Sequence, residues 1–180
     1  MSLRKVLAAF LAAAALFFLF TRSAGQPAIA DAAGTAIPHP PSAIPQGEAL
    51  KETVNGITYH MPYGRPTRPF TPAVQVGDIL YLSGQIGTSA SAQGGVVPGG
   101  IQAETRQTMQ NIKDVLEKSG SSMDHVFKCT AMLADMKEWD AMNEVYTTFF
   151  PNHKPARSAL GANGLALNAR VEIECLAKTK

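Results

Sequence analysis

The stretch VFKCTAMLADMKEWDAMNEVYTTFF, residues 126–150, changes period midway, and that change decides the fold class. From Val126 to Leu133 the side chains alternate. Phe127, Cys129, Ala131 and Leu133 share one side, with Val126, Lys128, Thr130 and Met132 on the other. A period of two is a strand. From Lys137 to Phe150 the spacing becomes three and four. Trp139, Met142, Tyr146 and Phe149 form a helical stripe, Asp135 stands in a capping position and Pro151 stops the run. The aromatic stripe reads as core. A strand feeding an amphipathic helix calls for sheet and helix on one core.

The flanking segments extend this pattern. Ile101, Thr105, Met109, Ile112 and Leu116 predict a helix over 101–119, with Gly120 behind it. Ala73–Val76 and Ile79–Gln85 are strand-like about Gly77-Asp78, and Asn55-Gly56 marks a hairpin within 51–60. Residues 87–100, with five glycines, read as a loop. Arg157–Ala162 and Val171–Ala177 close the domain as strands. The order β-β-α-β-α-β-β implies an α+β fold, a mixed β-sheet with two helices on one face. The other face carries Lys128, Thr130, Glu172 and Glu174, too polar for a plain core. Packing against other subunits around polar sites explains it, so an oligomer is expected.

The chain has 180 residues, 46% hydrophobic and 17% charged, a globular composition. Its net charge of +2 is uneven. Arg4, Lys5 and Arg22 lie in the first thirty residues, which hold no acid; the rest has 13 basic against 14 acidic residues. That near-neutral body argues against nucleic acid as a partner. Residues 1–30 combine Arg4 and Lys5 with an apolar run from Val6 to Phe20 and an Ala28-Ile29-Ala30 cleavage pattern. They read as a signal peptide, or alternatively an N-terminal membrane anchor. The chain is therefore expected to be exported, periplasmic or extracellular. Residues 31–50, rich in Ala and Pro, read as a flexible linker, and 51–180 as the folded domain.

The sequence lacks a Cys-x-x-Cys pair, a His-Glu-x-x-His helix, a serine nucleophile elbow and a P-loop. His39, His60, His125 and His153 are scattered without metal-ligand spacing and read as surface residues. No metal and no cofactor is expected. Glu172 and Glu174 share a face of the last strand, and Arg157 lies on the strand before it. Arg157 reads either as a surface ion-pair partner or as an anchor for a substrate carboxylate. A carboxylate not consumed by such a pair can orient and deprotonate water. Taken alone, the residues leave both readings open.

Four blocks carry a resemblance. They are Pro69-Phe70-Thr71-Pro72-Ala73-Val74, Leu82-Ser83-Gly84-Gln85-Ile86, Met142 to Tyr146 with Phe149-Phe150-Pro151, and Pro155-Ala156-Arg157-Ser158 with Val171-Glu172-Ile173-Glu174. In order and at these spacings, the chain from about Pro69 to Lys178 resembles the Rid (YjgF) family of enamine/imine deaminases. The resemblance implies a chorismate-mutase-like homotrimer with clefts between subunits. It also implies cofactor-independent hydrolysis of enamine/imine intermediates such as 2-aminoacrylate/2-iminopropanoate to 2-keto acids and ammonia. On that resemblance Arg157 clamps the carboxylate of a small substrate and Glu172 positions water. Phe70, Ser83, Gly84 and Asn143 line the cleft. Phe70 replaces a tyrosine common among relatives, and Ala159 a cysteine found in some. Residues 161–170 depart most, lacking a Leu-Pro before the last strand.

The family fold makes neighbours of the strands holding Cys129 and Cys175. Export would favour a disulfide, and two buried thiols acting as small hydrophobes are the preferred alternative. A competing function is a non-catalytic carboxylate-metabolite binding protein using the same intersubunit cleft. A holdase or an RNA-cleaving activity is a third class, and the charge disfavours RNA.

Overall fold

The computed structural model describes residues 47–180 except 93 and 94. The expected leader over 1–30, and the linker as far as residue 46, lie outside the described residues. Asn55 and Gly56 both adopt positive φ, 52° and 76°, the backbone of a two-residue hairpin turn whose twist suits its strands. They join β1 (Leu50–Val54) to β2 (Ile57–Met61). β3 (Ala73–Val76) and β4 (Ile79–Leu82) follow antiparallel about Gly77-Asp78. The chain then breaks stride. The expected strand over 79–85 ends at Leu82, and only Gln85–Ile86, β5, pairs again, with β8.

Helix α1 (Gly100–Lys118) buries Ile101, Thr105, Met109, Ile112 and Leu116, the stripe seen in the sequence. β6 (Val126–Leu133) leads through a short 3-10 turn into α2 (Trp139–Tyr146), and β7 (Ala156–Gly161) returns parallel to β6. The helix expected over 137–150 is thus α2 flanked by 3-10 turns. β8 (Val171–Lys178) comes last in sequence but lies inside the sheet, whose order is β1-β2-β3-β4-β8-β6-β7 with β5 on β8. The fold is α+β, a mixed sheet with two helices on one face, as expected. Met109, Ile112, Leu116, Met142 and Tyr146 from the helices meet Cys129, Ala131, Leu133, Val171, Ile173, Cys175 and Ala177 from the sheet.

Several expectations are corrected. Phe127 is 42% exposed while Val126 is buried. The β6–β8 register slips between Val126 and Lys128, and such a bulge turns the extra side chain outward. His60 is buried and its Nε2 lies 3.1 Å from Gln75 Oε1, so it is not a surface residue. Cys129 and Cys175, directly opposite on β6 and β8, form a disulfide instead of two thiols.

The turn over residues 161–170 is held at Arg170. Arg170 N donates to the Oε2 of buried Glu104 at 2.8 Å, and Arg170 Nε reaches both Glu138 oxygens at 2.9 and 3.0 Å. Burial pushes the Glu104 carboxyl up while the Arg170 hydrogen bond and charge oppose it. Leu167 and Asn168 sit at φ 57° and 55° within this turn, a conformation costly for leucine.

Candidate active site

Arg157 lies on the edge strand β7, opposite Cys129 of β6. Cys129 faces the helix core, and paired residues share a face, so Arg157 points toward the helices. There α2 supplies a bed for it. Its Nη1 donates to Asn143 Oδ1 at 2.6 Å. Its Cζ stands 4.9 Å from the Trp139 ring centroid and 4.7 Å from that of Tyr146. Two aromatic faces attract a guanidinium and restrict its rotation. Among the described residues no carboxylate pairs with Arg157. The group is an organised cation with donors to spare, which suits an incoming carboxylate.

The spacing that read Trp139 and Tyr146 as core was half the account. Tyr146 is 4% exposed and stacks on Phe150 at 5.0 Å, so it is core. It is also the floor under Arg157. Its hydroxyl is buried without a hydrogen-bond partner, and burial pushes its pKa to about 12 against the opposing charge of Arg157.

Glu172 forms a second cluster. It pairs with Met132 of β6 and Ile86 of β5, on the sheet face away from the helices. Gly84 passes directly over it. A Cβ at position 84 would overlap Glu172 Oε1 and lie 2.9 Å from Cδ, so only glycine permits this approach. Burial, and then the charge of Glu174, pushes the Glu172 carboxyl above the usual range. Ser83 braces the same turn: its Oγ donates to Thr71 O at 2.7 Å and its N–H to Pro72 O at 3.0 Å. That ties the Phe70 segment to Gly84, and Phe70 itself is 42% exposed.

The structure therefore gathers the candidates into two groups. Arg157 and Asn143 form one; Glu172, Gly84 and Ser83, with Phe70 on the attached segment, form the other. Arg157 and Glu172 lie on strands consecutive in sequence, but β6 runs between those strands in the sheet. Two strand spacings and three residues of rise put their Cα atoms about 14 Å apart. Their side chains leave by opposite faces.

A family model described as Endoribonuclease L-PSP matches residues 62–179. The chain belongs to this family, the Rid (YjgF) family. The hairpin β1–β2 precedes the matched region. The 2-iminobutanoate/2-iminopropanoate deaminase of Mus musculus is 40% identical over 109 residues, 61% of this chain and 80% of that protein. A protein of the same name from Dermatophagoides farinae is 41% identical over 112 residues, 62% of this chain and 87% of its own. The crystal structure of yeast Mmf1 superposes with TM-score 0.60 at 36% identity, covering 64% of this chain and 90% of Mmf1. That of Escherichia coli TdcF with bound serine gives 0.59 at 27% identity, covering 64% and 91%.

Proposed function

We propose that this chain is a cofactor-independent hydrolytic deaminase of imines derived from amino acids. We further propose that it works as a homotrimer whose sites combine the Arg157 group of one subunit with the Glu172 group of the next. The carrying observation is the Arg157 guanidinium, fixed on Asn143 and two aromatic rings yet paired with no carboxylate among the described residues. The names of the mouse and mite relatives support an imine substrate, and serine bound to TdcF supports a ligand bearing an amino-acid carboxylate.

In this mechanism Arg157 binds the 2-carboxylate and Glu172 holds a water against the imine carbon. As the water oxygen bonds to that carbon, Glu172 takes its proton, the C=N electron pair moves to nitrogen, and Glu172 returns the proton there to give a neutral carbinolamine. Glu172 then passes the carbinolamine hydroxyl proton to nitrogen, so that C=O forms as the C–N bond breaks and ammonia leaves. The balance is one imine plus one water to one 2-keto acid plus one ammonia. A base whose pKa lies nearer the working pH serves this step better, which fits the raised Glu172.

The exposed sheet face supports assembly. Tyr81 and Leu160 are 44% and 47% exposed there, among half-buried Met132, Leu176, Glu172 and Glu174. Export is part of the proposal, supported by the basic-then-apolar residues 1–30 and by the Cys129–Cys175 bridge, since disulfides persist in oxidising compartments. The amino-terminal residue of the mature protein tests that part. The deaminase itself is tested by keto-acid release from freshly generated 2-aminoacrylate. Parental release with no loss in Arg157→Ala contradicts the mechanism, and 2-keto acid binding without turnover makes the chain a binding protein.

A further inference from the structure

Arg68 stands two residues before Phe70, on the segment entering β3. Its Nη2 is buried and has no hydrogen-bond partner among the described residues. Among the described residues it makes no ion pair either, and its one aromatic neighbour is Phe70, 6.0 Å from Cζ to ring centroid. A buried guanidinium N–H without an acceptor is costly, and in folded proteins it marks a missing ligand, water or partner group.

A cavity of about 50 Å³ lies beside it, with Tyr63, Phe70, Pro72, Gln85 and Thr88 among its walls. About 10–15 Å³ of such space holds one water, so the cavity admits a group of a few heavy atoms, such as a carboxylate. The Tyr63 hydroxyl is committed to Asp114 at 2.7 Å, and the Gln85 amide donates to Ser83 O at 3.0 Å. The guanidinium is the cation among these walls. In apolar surroundings a charge-assisted pair to an anion is strong and displaces little organised solvent.

The pocket is joined to the Glu172 half of the site through its Phe70 wall: Ser83 fastens the Phe70 segment to the turn whose Gly84 covers Glu172, while Gln85, paired with Ile173, is on the helix side. We propose that Arg68 forms a second carboxylate subsite and that the preferred substrates are imines bearing an acidic side chain. The 2-carboxylate would sit on Arg157 of one subunit and the distal carboxylate on Arg68 of the next. This substrate class rests on the deaminase reading; the subsite itself does not need turnover.

The test compares two product analogues, 2-oxoglutarate and 2-oxobutanoate, which differ in the second carboxylate. Their binding to the full-length protein, Arg68→Met and Arg68→Lys is measured by calorimetry in a buffer free of carboxylate and phosphate. The parent binds 2-oxoglutarate about tenfold tighter or more, as one added charge-assisted pair predicts. Arg68→Met abolishes that preference while its affinity for 2-oxobutanoate stays parental, which also shows that the variant is folded. Arg68→Lys retains part of the preference. Equal affinities in the parent, a preference surviving Arg68→Met, or no 2-oxoglutarate binding at millimolar concentration overturns the subsite. The two ideas separate cleanly. An Arg68-dependent preference without 2-aminoacrylate hydrolysis leaves the subsite standing and removes the deaminase. Hydrolysis without the preference does the reverse.

Discussion

Arg157 and Glu172 lie two strands apart on opposite faces of one sheet, with β6 between them. Neither side chain can serve the other's substrate within a single chain. If both act on one molecule, two copies of the chain must supply them.

Complementation follows from this. Arg157→Ala and Glu172→Gln are each expected to be inactive alone. Co-expressed in equal amounts, they should regain about a quarter of parental activity, because one cleft in four combines an intact Arg157 with an intact Glu172 in a closed ring. Keto-acid release by the purified mixed assemblies is the measurement. No recovery, despite mixed assemblies identified by distinct tags, would mean that both groups act from one chain.

Tyr146 separates the two uses of its ring and its hydroxyl. The hydroxyl has no partner and stays protonated with a pKa near 12, so it carries no proton in catalysis. Tyr146→Phe should therefore keep parental kcat and KM and lose no stability. Tyr146→Leu removes one of the two aromatic faces under Arg157. A desolvated cation–π contact is worth about 1–2 kcal/mol, so KM for the carboxylate substrate should rise about tenfold. A change confined to melting temperature would reduce Tyr146 to core.

The parts of this molecule legible in its sequence are those set by local period. The α1 stripe and the bounds of β6 come from residues that see only their own turn or pleat. Phe127 was misplaced because the bulge arises from register against β8, some 50 residues later in the chain. The Arg157–Glu172 relation was hidden for a similar reason. Strands consecutive in sequence are separated in space by β6, which no local pattern records. Trp139 and Tyr146 have helical spacing whether or not a guanidinium lies on them. Arg68 gave no pattern at all, and its orphaned nitrogen is visible only once the walls around it are placed.

Glu172 should set the pH dependence. Its folded-state carboxyl is raised, first by burial and then by Glu174, so between the unfolded and folded pKa the folded chain holds a proton that the unfolded chain has released. Stability from this group is present below the unfolded pKa and is lost as pH rises through the folded one. At neutral pH Glu172→Gln should melt higher than the parent. The acid limb of kcat/KM should lie above the ordinary glutamate range, and Glu174→Gln should move it to lower pH by removing the like charge. A limb that Glu174→Gln leaves in place would assign the titration to another group.

Cys129 and Cys175 tie β6 to β8 across a sequence separation of 46. In the chain-entropy account, closing a loop of that length restricts the unfolded state by about 4 kcal/mol. The bond is buried in the core beside Ala131 and Ile173, so reductant should reach it in the unfolded chain far faster than in the folded one. Denatured without reductant, the protein should show no reactive thiol, and with reductant two. Cys129→Ala with Cys175→Ala should lower the melting temperature by roughly 10 °C. Arg157, although paired with Cys129 across β6 and β7, is held from the α2 side by Asn143 and two rings. The double variant should therefore keep its KM at temperatures where it is folded. A rise in KM there would mean that the bridge, and not the aromatic bed alone, sets the position of Arg157.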